Sequence, residues 1–186
     1  MLKLCESKNE AVTRPARLLA DLKKNSRIGI YPECHLFWGG FLSQWLVSSF
    51  VIDGVNFPTA EHYMMAEKAK TFGDTLAYEK IMNTEHPRSA KEIGRSVQSY
   101  DDSIWAEVRY AVVVAGNIAK FTQNNHLRKS LLDTGRKTLV EASPVDTVWG
   151  IGLHEDNPKA TNPLHWKGSN LLGFALMDVR DKLFDD

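Results

Sequence analysis

The stretch TAEHYMMAEKAKTF, residues 59–72, places an acid and an amine among apolar side chains on one predicted helix. At 100° per residue, Glu61 and Lys68 differ by only about 20° around the helix axis and lie roughly 10 Å apart along it. Met65 and Phe72 continue the same side. A lysine whose pKa is lowered by apolar neighbours can attack a carbonyl or anomeric carbon, and a nearby carboxylate can move protons. The pair therefore suits chemistry at the anomeric carbon of a ribose.

A structural interpretation of the same pair is open at this point. Lys68 can lay its aliphatic part along the edge of the core while its ammonium reaches water. Glu61, near the start of the helix, is favoured there by the helix dipole. Spacing alone does not separate the two interpretations, so other residues must decide between them.

A second group of candidates lies near the C-terminus, in the segments DTVWGIG and HWKGSNLLGFALMDVR. Gly168 and Asn170 precede a predicted helix, whose open backbone N–H groups can hold a phosphate. Gly150 lets the backbone approach a ligand closely, and Trp149 is a flat stacking partner. The alternative is an ordinary capped helix start that follows a tight turn.

Asp146, directly before the WGIG turn, is a candidate second carboxylate, although such an aspartate commonly caps its own turn. Trp105 lies on a long predicted helix, where an indole is more often part of the core than a ligand platform. The chain has 5 tryptophans, and indole rings suit stacking on a base. The 6 histidines show no HxxxH or HExxH spacing, so neither a metal site nor a cofactor is predicted.

The stretch AKFTQNNHLRKSLLDTGRK, residues 119–137, is locally basic. Such a stretch is usually a solvated helix face, and the alternative is a contact for the phosphates of a large substrate. Lys+Arg and Asp+Glu are equal at 23 each, which argues against binding nucleic acid by overall charge alone.

Apolar periodicity and capping residues predict a helical N-terminal extension over residues 1–30 and a single domain over 31–186. Asp53-Gly54 between apolar runs predicts a β-hairpin. Thr59 is a predicted N-cap. A short strand is predicted at 138–143. The remaining predicted helices cover about 60–72, 74–83, 87–97, 101–121, 124–135 and 170–184. The fold class is therefore α+β, mostly helical, with a small β-sheet or hairpin.

Two cysteines, Cys5 and Cys34, form no metal pattern and no disulfide framework. The N-terminal residues lack the apolar run and cleavage site of a secretory signal, and no stretch reaches the roughly 20 apolar residues of a membrane span. We therefore expect a cytoplasmic protein without a membrane partner. The sequence does not determine the oligomeric state.

Several separated segments, in order, resemble the NADAR domain family, also called YbiA-like N-glycosidases. The resemblance covers about residues 37–184 and runs through FWGGFLSQW, VIDGVNFPTAEHYMMAEKA, AKEIGR, AKF, LVEAS, DTVWGIG and WKGSNLLGFALMDVR. It implies a compact, mostly helical α+β fold. It also implies hydrolysis of an N-glycosidic bond between a phosphorylated ribose and a base or amine.

The family has two known substrate classes: phosphoribosylated pyrimidine intermediates of riboflavin synthesis, and ADP-ribose attached to guanine in nucleic acid. The resemblance implies that Lys68 forms a Schiff base with the opened ribose and that Glu61 or Asp146 is the acid. Ligand contacts are expected from Phe37, Ser43, Gln44, Trp105, Trp149, Gly150, Trp166, Gly168 and Asn170.

Two departures from the family pattern bear on the substrate. Ser43 is followed by Gln44, where many members have Ser-Asn, and the longer amide would shift the ligand. The loop 153–166 is longer than in compact riboflavin-type members, which favours a bulkier ligand such as ADP-ribose, free or on DNA or RNA. A different class, a module that binds ADP-ribose without cleaving it, would not need Lys68.

Overall fold

The computed structural model describes residues 8–185 of the chain, with side chains from residue 12 onward. Within that part the elements are α1 (Lys8–Arg27), β1 (Cys34–Phe37), β2 (Phe50–Ile52), β3 (Val55–Phe57), α2 (Ala60–Thr71), α3 (Thr75–Met82), α4 (Pro87–Arg95), α5 (Asp102–Gln123), α6 (Asn125–Leu132), β4 (Thr138–Glu141) and α7 (Leu171–Asp185). The predicted mostly helical α+β fold is confirmed. None of the helices within residues 8–185 combines the length and apolar character needed to cross a membrane.

Local signals set the ends of the helices. The Thr59 hydroxyl accepts a hydrogen bond from the backbone N–H of His62, which satisfies one free donor at the start of α2. Asp101 does the same for Ser103 and Ile104 at the start of α5. Each predicted helix is present, and its ends differ from the prediction by a few residues.

Two separate two-stranded sheets complete the fold. The β2–β3 hairpin turns through Asp53 and Gly54, whose φ angles of 50° and 80° are the positive values that its tight turn requires. The hairpin prediction is confirmed. Strand β1 was not predicted; it runs parallel to β4 and places Phe37 opposite Glu141. Four residues are too few to carry a clear alternation, so only the pairing with β4 defines β1 as a strand.

Helix α1 packs against α5 and α7 rather than standing away from the domain. Leu18, Leu19 and Leu22 contact the core, and the Arg14 guanidinium lies 2.8 Å from the Asp178 carboxylate of α7. The predicted extension therefore contributes to the core of the domain through these three leucines. Its first seven residues, and residue 186, lie outside the described part of the chain.

Helix α2 is buried on nearly all sides because α3, α4 and α5 pack around it. The sequence predicted an amphipathic helix, so the burial of its polar face is a finding of the tertiary structure. His62 is satisfied by Thr59 Oγ1 and by the carbonyl oxygen of Thr84. The other two buried polar side chains, Glu61 and Lys68, face a cavity.

Candidate functional site

A cavity of about 850 Å³ lies between α2, α4 and the start of α5 on one side and the loops after β1 and β4 on the other. Its volume falls in the range of pockets that hold nucleotide-sized ligands. The predicted site residues that line it are Phe37, Ser43, Gln44, Glu61, Lys68, Trp105, Asp146 and Trp149. The fold therefore brings the predicted amine and both predicted acids to one place.

The Lys68 amine is held at one end of this cavity and is only 9% exposed. Its Nζ donates to the carbonyl oxygen of Gly94 at 2.8 Å and lies 4.0 Å from the centre of the Tyr100 ring. Burial lowers the pKa of Lys68, the nearby Arg95 charge lowers it further, and Asp102 opposes both. A neutral amine, the form that attacks carbon, is therefore more accessible here than in water.

The Glu61 carboxyl is 2% exposed, and its Oε1 has no hydrogen-bond partner. Burial raises the pKa of Glu61 to about 7; the charge of Lys91 and a hydrogen bond from the Trp45 indole act in the opposite direction. A carboxyl that carries its proton near neutral pH can serve as a general acid.

A second buried acid, Glu141, ends strand β4 and also lines the cavity. Burial, followed by repulsion from Asp146, raises the pKa of Glu141 to about 8, and its Oε2 has no partner. Sequence reasoning missed Glu141 as a site residue. The available signal was a charged residue at the end of an apolar strand. Among residues 8–185, no three His, Cys, Asp or Glu side chains converge to form a metal site.

Asp146 has a structural task as well as a place in the cavity wall. Its Oδ1 accepts hydrogen bonds from the backbone N–H groups of Val148 and Trp149, at 2.9 and 2.8 Å. This is the turn-capping use that the sequence offered as the alternative. The carboxylate fixes the turn that carries Trp149 into the cavity wall.

Gln44 and Ser43 are held in the wall by buried partners. The Gln44 amide oxygen accepts from Asn117 Nδ2 at 2.9 Å, and its backbone oxygen accepts from the N–H of Glu61 at 3.0 Å. The Ser43 carbonyl oxygen accepts from the Lys120 amine at 2.8 Å. Gln44 thus links α2 and α5, and its amide already has one strong internal bond.

Four predicted ligand contacts, Gly150, Trp166, Gly168 and Asn170, do not line the cavity. The N–H groups of Gly168 and Asn170 donate to the carbonyls of Ile151 and Gly150. A free helix start that holds phosphate, as the sequence suggested, is therefore absent at this end of α7.

Asn170 and Trp166 are instead fixed by internal hydrogen bonds. The fully buried Asn170 side chain accepts from the Glu141 N–H and donates to the Leu139 oxygen, both at 2.9 Å. The Trp166 indole donates to Ala160 at 2.7 Å. These residues do not reach the cavity because the segment before α7 packs closely on the WGIG turn. A Cβ at Gly168 would overlap the carbonyl oxygen of Gly150. Asn170 acts on the site by holding the strand that ends in Glu141.

Cations that were not selected from the sequence also line the cavity. They are Arg88, Lys91 and Arg95 on α4 and Arg109 on α5. Arg109 lies 3.9 Å from Asp102, whereas the α4 cations have no carboxylate within 4.0 Å among the described residues. The helical spacing of the α4 cations was visible in the sequence, but the side of the helix that faces the cavity was not.

The chain is similar to a known domain family and to several of its members. The NADAR domain profile matches residues 36–184. The chain is 42% identical over 145 residues to "N-glycosidase R617" of Acanthamoeba polyphaga mimivirus, which covers 75% of this chain and 85% of that protein. It is 33% identical over 144 residues to "Riboflavin biosynthesis protein VVA0006" of Vibrio vulnificus, which covers 77% of this chain and 35% of that protein.

The fold also matches a solved structure. The NMR structure of the Escherichia coli protein YbiA superposes with a TM-score of 0.69 at 31% sequence identity, covering 83% of this chain and 87% of that one. Residues 36–184, which the NADAR domain profile matches, contain every element from the last residues of β1 into α7. They also contain every residue that lines the cavity. The chain therefore belongs to the NADAR domain family, as the sequence motifs predicted.

Proposed function

We propose that this protein is an N-glycosidase that hydrolyses the bond between a phosphorylated ribose and a nitrogen. The observation that carries the proposal is that the buried Lys68 amine and the buried Glu61 carboxyl, whose pKa is raised by burial, line the same cavity. Membership of the NADAR family and the similarity to a protein named N-glycosidase support it. The proposed substrates are ADP-ribosylated guanine in nucleic acid and phosphoribosylated riboflavin intermediates.

The first chemical step joins the enzyme to the sugar. The lone pair of Lys68 Nζ forms a bond to the anomeric carbon C1′. The bond from C1′ to the leaving nitrogen breaks, its electron pair goes to that nitrogen, and a neutral carboxyl donates the proton that the nitrogen requires. Nζ then loses a proton, its lone pair forms a double bond to C1′, and the C1′–O4′ bond opens as O4′ takes that proton. The product is an iminium ion between Nζ and C1′.

The second step releases the sugar. A water molecule adds to C1′ and loses one proton to the carboxylate, which gives a carbinolamine. Nζ takes the remaining hydroxyl proton, the C1′–Nζ bond breaks, and the sugar leaves as an open-chain aldehyde. One water molecule is consumed for each bond cleaved. Every proton transfer uses a side chain of this protein, and Lys68 ends the cycle unchanged.

Glu61 is the better placed of the two predicted acids. Its unpartnered Oε1 and raised pKa match a proton donor, whereas one oxygen of Asp146 already accepts two backbone N–H groups. Glu141 provides a further carboxyl in the same cavity. The charge of Glu61 raises the pKa of Glu141, and the charge of Asp146 raises the pKa of both. We assign the first proton donation to Glu61 and the support of the turn to Asp146.

The test is to trap the iminium ion. Borohydride reduces it to a stable secondary amine, and mass spectrometry of the digested protein locates the adduct. We expect the adduct on Lys68 and its loss in Lys68→Ala. The matched control is Lys70→Ala, because Lys70 lies on the same helix but pairs with Glu67 at 2.7 Å outside the cavity. An adduct on another lysine, or full activity in Lys68→Ala, would remove the proposed role.

The same preparation decides between substrates and between classes of function. Turnover of ADP-ribosyl-guanine DNA is compared with turnover of phosphoribosylamino pyrimidines, and the products are identified by mass. If neither substrate is cleaved while ADP-ribose binds equally to wild type and Lys68→Ala, the chain is a binding module and the hydrolase proposal fails.

A further inference from the structure

Helix α4 presents an unusual concentration of positive charge to the cavity. Arg88, Lys91 and Arg95 follow one another at spacings of three and four residues, which places them within about 60° around the helix axis. The adjoining side of α4, about 60° around the axis from Lys91, packs tightly against α2, where a Cβ at Gly94 would overlap the Met65 side chain. The close packing fixes the rotation of α4 and so directs the three cations toward the cavity.

The charge of this face is not neutralised within the protein. The ion pairs of the described residues involve other cations, and none joins Arg88, Lys91 or Arg95 to a carboxylate. Glu92 follows Lys91 on the same helix and also lines the cavity without pairing with them. Arg88 and Lys91 instead lie 5.9 and 5.8 Å from the Trp45 ring. Adjacent like charges without an ion-pair partner within 4.0 Å favour the arrival of an anion.

The α4 face shares the cavity with the reacting groups. The charge of Arg95 lowers the pKa of both Lys68 and Glu61, so Arg95 is close to the proposed nucleophile and the proposed acid. The charge of Lys91 lowers the pKa of both Glu61 and Glu141. An anion on this face would therefore stand beside the sugar whose anomeric carbon Lys68 attacks.

Most of the other basic groups that the sequence offered already have partners within the protein. The start of α7 uses its N–H groups internally, as described above. In the stretch 119–137, Lys120 and Arg128 donate to backbone carbonyls, and Lys129 and Lys137 pair with Asp133 and Glu33. None of these residues lines the cavity.

We propose that Arg88, Lys91 and Arg95 form the phosphate subsite of the cavity. The choice of a ribose phosphate as its ligand rests on the proposed function. Arg95, nearest Lys68, binds the phosphate on the 5′-carbon of the attacked ribose, and its guanidinium can donate two parallel hydrogen bonds to phosphate oxygens. Arg88 lies about 10 Å farther along the helix axis and serves the second phosphate of a diphosphate ligand.

The test measures equilibrium binding, so that it does not depend on turnover. ADP-ribose, ribose 5-phosphate and adenosine are titrated into Lys68→Ala protein, which cannot form the covalent adduct, and into the same protein with Arg88→Gln or Arg95→Gln added. Arg136→Gln is the matched control, because Arg136 is an exposed arginine outside the cavity. Thermal unfolding verifies that each variant is folded; both α4 arginines are exposed, so stability should be preserved.

We expect Arg95→Gln to weaken both phosphate ligands by about tenfold or more, the loss typical of one charge-assisted hydrogen bond. Arg88→Gln should weaken ADP-ribose much more than ribose 5-phosphate. Adenosine, which carries no phosphate, should bind all variants alike, and added salt should weaken phosphate binding less in the variants than in the control.

The subsite is refuted if Arg95→Gln binds ADP-ribose and ribose 5-phosphate as the Arg136→Gln control does, or if adenosine loses as much affinity as ADP-ribose. This failure is distinct from failure of the N-glycosidase proposal. Turnover with unchanged phosphate affinity removes the subsite alone. Lost phosphate affinity in a protein that cleaves neither substrate removes the hydrolase and keeps the subsite.

Discussion

Replacing Glu61 by glutamine should make the folded protein more stable and the enzyme less active. Glutamine has nearly the same shape as glutamate but neither ionises nor donates an acidic proton. Because burial raises the pKa of Glu61, the folded protein holds this proton more tightly than the unfolded chain does. The stability that the group contributes is complete below its ordinary pKa and is lost as the pH rises through about 7.

The size of the effect follows from the two pKa values. Glu61 moves from an ordinary value of 4.5 to about 7 on folding, and each pKa unit corresponds to about 1.4 kcal/mol. The wild type should therefore lose about 3 kcal/mol of unfolding free energy relative to Glu61→Gln between pH 4.5 and about pH 8. That is a large part of the typical stability of a domain of this length.

The assay is urea unfolding at several pH values, compared between wild type, Glu61→Gln and Glu79→Gln. Glu79 is an exposed glutamate on α3 and serves as the control, which should follow the wild type. Subtracting the variant curve from the wild-type curve removes the titration of groups that do not interact with Glu61. The difference keeps the coupling to Glu141, whose pKa the charge of Glu61 raises. N-glycosidase turnover should fall by about 100-fold or more in Glu61→Gln, the range for loss of a general acid.

The reasoning fails if the stability curves of wild type and Glu61→Gln run parallel from acid to neutral pH. Parallel curves would mean that Glu61 has an ordinary pKa in the folded protein. If Glu61→Gln is more stable than the wild type but has unchanged turnover, the raised pKa of Glu61 is supported and its role as general acid is not. Asp146 or Glu141 would then be the acid.

Three further substitutions test the packing around the site. Gly173→Ala should lower the free energy of unfolding in urea by more than about 3 kcal/mol, because its Cβ would overlap the backbone oxygen of Leu139. Gly94→Ala should lower it by only about 1–3 kcal/mol, because the flexible Met65 side chain can move. A larger loss in Gly94→Ala than in Gly173→Ala would contradict this reasoning. Asn170→Gly keeps the backbone angle of 54° accessible but removes two buried hydrogen bonds, and should cost about 2 kcal/mol in the same assay. In folded Asn170→Gly, the affinity for ADP-ribose should fall less than in Arg95→Gln. A larger fall would indicate that Asn170 contacts the ligand directly.

The sequence by itself determined the local structure and the family. Helix periodicity, the Thr59 cap and the Asp53-Gly54 turn depend on residues close together in the chain, so they can be read without knowing the fold. The spacing of Glu61 and Lys68 placed an acid and an amine on one side of α2. Ordered motifs identified the NADAR domain and its α+β fold.

The tertiary structure decided which faces of these elements are covered. Strand β1 exists because it pairs with β4, and this pairing brings Glu141 beside Phe37 at the cavity. The Lys68 amine finds its partner, the Gly94 carbonyl, on a helix 26 residues away in the chain. No local pattern contains such contacts.

The start of α7 and the α4 helix illustrate the same difference. Sequence analysis predicted both a helix start at Asn170 and the helix that carries Lys91, and it selected only the first as a phosphate site. Backbone carbonyls from the WGIG turn use the N–H groups of α7, while tight packing at Gly94 turns the α4 cations inward. Periodicity states which residues share a face, but only long-range packing determines whether that face meets a ligand, solvent or another part of the protein.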